Sequence, residues 1–196
     1  MDEHGQRAVI RDRATLRLVD LDTLTTHLLP WSYSALSVPD KVGLSGDGSL
    51  VALLVRSPTG DQQQIAFSPW PFHGAASVTD EQVPSPVDFV GAIVRDMAFK
   101  PGSHELLVVR SNGQLLLLNP DRAAPPAGNV TGGEVAPTAT MPAAPVSPLT
   151  PWMQLDVPGT TVAFNRTGEY LAVACEDGVV RLISVTHREV RLRIPI

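Results

Sequence analysis

Lysine and cysteine are nearly missing from this chain. Of its 15 basic residues only Lys41 and Lys100 are lysine, and we read the 13 arginines as a bias of genomic base composition. The single cysteine, Cys175, cannot form an internal disulfide, so a disulfide scaffold is excluded. No segment approaches the about 18 consecutive apolar residues of a membrane-spanning helix. The N-terminus, MDEHGQRAVIRDR, has no apolar core of a secretion signal. The expected setting is therefore intracellular, cytoplasmic or nuclear. Aromatic residues make up only 5% of the chain, and net charge is −5, which argues against a general phosphate-binding surface and against nucleic acid as a partner. Helical periodicity is missing too: no stretch of about 11 residues carries it between capping residues.

Signatures of chemistry are equally scarce. His4, His27, His73, His104 and His187 sit at no metal-binding spacing and read as scattered surface residues. The glycines of GLSGDG, from Gly43, are followed by a strand pattern and not by the helix of a phosphate loop. Asp47 lacks the further acidic ligands of a calcium loop and reads as a turn residue. No G-x-S-x-G elbow occurs. Cys175 stands beside Glu176 and Asp177, which raise a thiol pKa, and reads as a buried structural residue. The expectation is no catalytic residue, no metal and no cofactor.

What the chain does contain is a repeat. VGLSGDGSLVALLVRS from Val42, MAFKPGSHELLVVRSNGQLLLLN from Met97 and VAFNRTGEYLAVACEDGVVRLIS from Val162 align on one another. Each is a short apolar strand, a polar turn and a second apolar strand; the later two add a turn, Asn112-Gly113 or Asp177-Gly178, and a third strand. Asn-Gly and Asp-Gly between apolar runs predict tight hairpins with positive φ at both turn positions. Leu106–Val109, Leu115–Leu118 and Leu171–Cys175 lack polar alternation, as strands do when both faces of their sheet are covered. RAVIRDRATLRLVDLDTLTTHLLP, from Arg7, supplies a partial copy of two or three strands. The 32 residues from Pro120 to Pro151 hold eight prolines and seven alanines and read as a disordered, flexible insert.

These copies resemble WD40 repeats, the four-stranded blades of β-propellers. Val162–Ile196 follows the family pattern through all four strands, Met97–Asn119 through three, and TLRLVDLDT, from Thr15, matches the third strand. The family's Trp-Asp pair is replaced by Val19-Asp20, Leu118-Asn119 and Ile183-Ser184, and its Gly-His pair is missing, so its His-to-Asp network within each blade is not expected. The implied fold is all-β: a WD40-like β-propeller or partial propeller of about four four-stranded antiparallel blades. The implied layout is a partial first blade over 7–30, a second over 42–72, a third over 97–119, the insert over 120–151 and the last blade over 152–196. Four blades stand at the low end of the range for closed rings. Further blades, from another chain or the rest of a longer product, are expected to complete the ring.

The resemblance implies a non-catalytic protein–protein interaction scaffold, a subunit or fragment of a larger complex, with other proteins as partners. It places Arg56, Arg110 and Glu176 near one rim of partner-binding loops. Trp70, between Pro69 and Pro71, is a further candidate contact. Arg188, Arg191 and Arg193 lie on a predicted outer strand alternating with Val190, Leu192 and Ile194, giving a basic face for an acidic partner or a charge-protected edge. The alternatives are a propeller enzyme or ligand-binding domain with its site at the central channel, and a truncated propeller without autonomous function.

Overall fold

The computed structural model describes residues 6–12, 15–28, 39–57, 62–69, 87–122 and 149–196. Trp70 and residues 123–148 of the expected insert lie outside them. Among the described residues, fifteen strands form four antiparallel sheets. The first has three strands, β1 (Arg7–Asp12), β2 (Thr15–Asp20) and β3 (Thr25–Leu28). The second runs β4 (Lys41–Leu44), β5 (Leu50–Arg56), β6 (Gln63–Pro69) and β7 (Val87–Phe89). The third runs β8 (Val94–Phe99), β9 (Leu106–Arg110), β10 (Gln114–Leu118) and β11 (Leu149–Gln154). The fourth runs β12 (Gly159–Phe164), β13 (Tyr170–Cys175), β14 (Val179–Ser184) and β15 (Glu189–Pro195). Among the described residues the only helical element is a 3-10 turn over Pro120–Arg122, and no helix is long and apolar enough to cross a membrane.

The missing polar alternation now has its cause. Successive residues of a strand point to opposite faces, and here both faces meet another sheet. Along β5, Val51, Leu53 and Val55 pack on Leu16 and Leu18 of the first sheet. Leu50, Ala52 and Leu54 pack on Met97, Leu106 and Val108 of the third. Along β9 the pattern repeats: Leu107 and Val109 turn to Val162, Leu171 and Val173 of the fourth sheet. Burying each such side chain contributes about 1.5–3 kcal/mol. The inner strands pack on one another, β4 on β8 and β8 on β12, and β4 also meets β1 of the first sheet.

Polar ties fix how those inner strands meet. Asp96 on β8 is buried; its carboxylate accepts the Val162 amide of β12 at 3.0 Å and pairs with the Lys41 ammonium of β4 at 3.3 Å. Gln63 of β6, also buried, clamps the first residue of β8: its amide nitrogen donates to the Val94 carbonyl and its oxygen accepts the Val94 N–H, at 3.2 and 2.6 Å.

Three expectations are corrected. Strand β7 lies beyond the expected end of the second blade at 72, and β8 begins before 97. Strand β11 pairs with β10, so 149–151 are not insert and 152–154 belong to the third sheet, not the last. Pro151 hid this strand, yet β11 is an edge strand, where a missing N–H is tolerated. The hairpins also use a different turn. Gly113 and Gly178 have φ of +81° and +71°, while Asn112 and Asp177 do not have positive φ. These are three-residue loops ending in a left-handed glycine, with Gly113 N–H donating to the Arg110 carbonyl and Gly178 N–H to the Cys175 carbonyl.

Glycine matters unequally at these turns. A Cβ on Gly113 would stand 2.9 Å from the Leu155 carbonyl oxygen, whereas one on Gly102, at φ +68°, would meet nothing within 4 Å. Gly102→Ala is therefore expected to cost only the left-handed penalty, about 1 kcal/mol, and Gly113→Ala at least about twice that. Urea denaturation of the two variants measures the difference.

Candidate partner-binding rim

Antiparallel pairing gathers the starts of β4, β8 and β12 with the ends of β5, β9 and β13 on one rim. The second-to-third strand loops of every four-stranded sheet therefore open on the same side. Arg56, Arg110, Glu176 and Arg193 all reach it. Arg56 pairs with Asp40 at 2.9 Å, and Glu176 crosses the sheet boundary to Arg95 at 3.3 Å. Arg193 lies 3.4 Å from Asp156. Between the strands of the second sheet, Val55, Ser57, Gln62, Gln63, Gln64 and Asp88 line a cleft of about 230 Å³.

Arg110 also has a structural part. Its guanidinium donates to the Val90 and Ala92 carbonyls and to Gln114 Oε1, at 2.8, 3.1 and 3.0 Å. It holds the connection between the second and third sheets in place. Arg188 is not on the outer strand: it occupies the turn before β15 at φ +55° and stands on the opposite rim. Arg191 lies within β15 and pairs with Glu189 at 2.7 Å. The expected one basic and one apolar face of β15 is not formed throughout, because a register shift between Leu182 and Ile183 puts Val190 on the side of Arg193, while Leu192 and Ile194 take the other.

Two clusters escaped the reading of the sequence. The first surrounds Arg181, whose side chain is 1% exposed. Its guanidinium donates to both oxygens of Asp156, at 3.0 and 3.2 Å, and both of Asp177, at 3.0 and 2.9 Å. Those bonds hold both carboxyls below the usual range and Arg181 above its own. The planar fork supplies all four bonds, one more than the three N–H of a lysine ammonium could make. Beside it, burial raises the Cys175 thiol, opposed by Arg181, so burial outweighs the acidic neighbours that the sequence suggested as the cause.

The second cluster lies on the opposite rim. His104 is wedged between two carboxylates, with Nδ1 3.1 Å from Asp121 and Nε2 3.2 Å from Asp47 and 2.9 Å from the Ser49 hydroxyl. Asp47 also accepts the Ser45 and Ser49 hydroxyls, at 2.6 and 2.7 Å, while Arg7 of the first sheet donates to the carbonyls of Asp47 and Gly48. One turn thus joins three sheets beside a cleft of about 450 Å³. His104 is not a scattered surface histidine: nothing in its spacing marked it, because its partners are 57 and 17 residues away. Burial lowers its pKa, but the bonds to Asp121 and Asp47 outweigh this and raise it. Burial raises Asp47, and its hydrogen bonds from Ser45, Ser49 and His104 hold it well below the usual range. Among the described residues no group of three or more His, Cys, Asp or Glu is placed to hold a metal.

Comparison with known proteins bears on the fold alone. No family model and no curated protein matches the chain. Among solved structures, the β-propeller domain of Myceliophteria thermophila Cps50 (Swd1) is similar at a TM-score of 0.59 and 12% identity, over 100% of this chain and 54% of that one. The dihydro-heme d1 dehydrogenase NirN, solved in complex with DHE, is similar at 0.53 and 15% identity, over 100% of this chain and 36% of that one. The chain thus spans about half and about a third of those two proteins.

The raised His104 pKa sets a sign. A group whose pKa is higher folded than unfolded stabilises the fold fully below its unfolded value, near 6.5. That stability is lost as pH rises through the folded value. Thermal melts are expected to show stability falling as pH climbs from about 6.5, with the slope reduced in His104→Gln. Four successive antiparallel sheets packed face to face, similar to both solved structures, make this an all-β chain with the fold of a β-propeller.

Proposed function

We propose that the chain is a divergent WD40-type propeller that works as a non-catalytic protein–protein interaction scaffold within a larger complex inside the cell. The observation that carries this reading is the construction of the first rim. Gln63 and Arg110 fasten its connections to the sheets, so the exposed groups between them are presented on a rigid support. Arg56, Glu176 and the cleft bounded by Ser57, Gln62, Gln64 and Asp88 offer charge of both signs, amides and a hydroxyl to a partner's polar surface. Arg193 extends that surface outward. Arg110 serves it from beneath.

The similarity to an enzyme, NirN, supports only the propeller fold at 15% identity. At the inner strands of this chain, Lys41 and Asp96 bond to each other and Asp96 accepts an amide of β12, a structural use of polar groups that supports the scaffold over a channel site.

Affinity purification of the tagged full-length product is expected to recover a stoichiometric partner, and recovering none would overturn the proposal. Once a partner is in hand, combining Arg56→Glu with Glu176→Arg should weaken its binding roughly tenfold. The melting temperature should stay unchanged, since exposed pairs contribute about 0–1 kcal/mol.

A further inference from the structure

The second sheet leaves one carboxylate on the first rim without a cation. Val55 of β5, Gln64 of β6 and Asp88 of β7 stand in cross-strand register, so their side chains share one face of the sheet. With Ser57 and Gln62 they line the cleft of about 230 Å³ at the rim end of that face. Asp88 is exposed, and its one partner among the described residues is the Gln64 amide, which donates to Oδ1 at 2.9 Å. An amide satisfies one oxygen and neutralises nothing. The cations of this sheet are engaged elsewhere: Arg56 alternates to the opposite face of β5 and pairs with Asp40 at 2.9 Å, and Lys41 pairs with Asp96.

The neighbouring sequence has little cationic charge to offer either. Between Arg56 and Arg95 the chain holds Asp61, Asp80, Glu81 and Asp88, one histidine, His73, and no lysine or arginine. Beside the acid stands an apolar tip. Val90 is 74% exposed and Ile93 40%, in the connection from β7 to β8. Hydrogen bonds hold the backbone of that tip at four points. Arg110 donates to the Val90 and Ala92 carbonyls, the Ser111 amide donates to the Ile93 carbonyl at 2.7 Å, and the Ile93 amide donates to the Ser111 hydroxyl at 3.0 Å. Exposed apolar side chains on a backbone fixed in this way lose little freedom when a partner arrives.

We propose that the cleft receives a lysine or arginine side chain from an extended segment of a partner protein, with Asp88 as its counter-charge, while an apolar neighbour in that segment lies on Val90 and Ile93. Charge complementarity chooses this occupant. Asp88 Oδ2, the amide oxygens of Gln62 and Gln64 and the Ser57 hydroxyl are acceptors, and the heads of both cationic side chains are donors only. Val55, on the same wall, suits the apolar stem behind such a head. A glutamate would meet Asp88 as a like charge, and an apolar side chain would strip water from the carboxylate without replacing it. The second sheet lies between the first and the third, so the cleft is not an end of the stack. This inference rests on the reading of the rim as a protein contact and names what the partner presents to it.

Nuclear magnetic resonance titration of the isotope-labelled full chain tests it. The probes are three blocked pentapeptides, Ala-Leu-Xaa-Leu-Ala, with arginine, lysine or norleucine at the centre. The arginine or the lysine peptide is expected to shift the amide signals of Gln62, Gln64, Asp88 and Val90 saturably, with a Kd roughly tenfold below that of the norleucine peptide. Asp88→Asn, at an exposed position, should remove that preference. Val90→Ser should weaken the cationic peptides about threefold and keep it. A preference that survives Asp88→Asn overturns the proposal. So does equal affinity for the norleucine peptide, and so does the lack of any saturable shift at the cleft, the result expected where another part of the chain or a second copy fills it. These outcomes are separable from the affinity purification. A recovered partner that binds the Asp88→Asn chain equally well refutes this assignment and leaves the scaffold standing, whereas recovering none refutes the scaffold whatever the peptides do.

Discussion

One carboxylate on the inner edge of the third sheet sets the spacing of the others. Asp96 is flanked by β4 and β12, and it bonds to both. A carboxylate with 11% of its side chain exposed keeps its charge only if partners replace the lost water. The Val162 amide and the Lys41 ammonium do so, and each comes from a different sheet. The aim of Asp96 follows from a register shift between Val94 and Asp96. Such an extra residue re-aims the side chains that follow. It leaves Val94 and Met97 facing the second sheet while Asp96 faces the fourth. Strand β12 has the same irregularity between Gly159 and Thr161, which places Thr161 where β8 has its aspartate. The repeat thus extends to a backbone defect, and the side chain at that position decides what it ties.

The rims inherit this order. With β4, β8 and β12 fixed in succession, every strand end falls on one of two sides. Short contacts between sheets can then form on both: Gln63 to Val94 and Arg95 to Glu176 on one, Arg7 and His104 to the Asp47 turn on the other. None of these side chains lies within 30 residues of its partner in the chain. They are consequences of stacking and could not form in an isolated sheet.

That separation explains what was legible in the sequence. The apolar runs of β5, β9 and β13 and the glycines of their turns are local signals, and they specified the sheets correctly. Turn aspartates and asparagines were legible too: Asp47, Asn112, Asn165 and Asp177 each accept an amide two to five residues on. Strand β7 was missed because three residues are too short for a periodic signal. Strand β11 was missed because Pro151 reads as a breaker unless the strand is known to lie at an edge. Asp96, Gln63 and His104 carried no sign of their parts, since an acid, an amide or a histidine is marked only by what the fold brings to it.

Arginine content is the instructive case, because composition alone assigned it to base usage. Arg181 spends its guanidinium on four carboxylate bonds, and Arg110 spends its own on two carbonyls and an amide. Each spans groups contributed by different loops, which needs several donors held in one plane. The two lysines make simpler contacts: Lys41 reaches Asp96 and Lys100 reaches Glu105, each as a single ammonium on one carboxylate. Arg181 and Arg110 sit in equivalent regions, beside the turn that leads into the third strand of a sheet. There a connection from the preceding sheet arrives, Asp156 in one case and Val90 to Ala92 in the other. A side chain at that point fastens a foreign loop as well as its own turn, and the five N–H donors of a guanidinium, held in one plane, aim at both where the three of an ammonium converge on one atom.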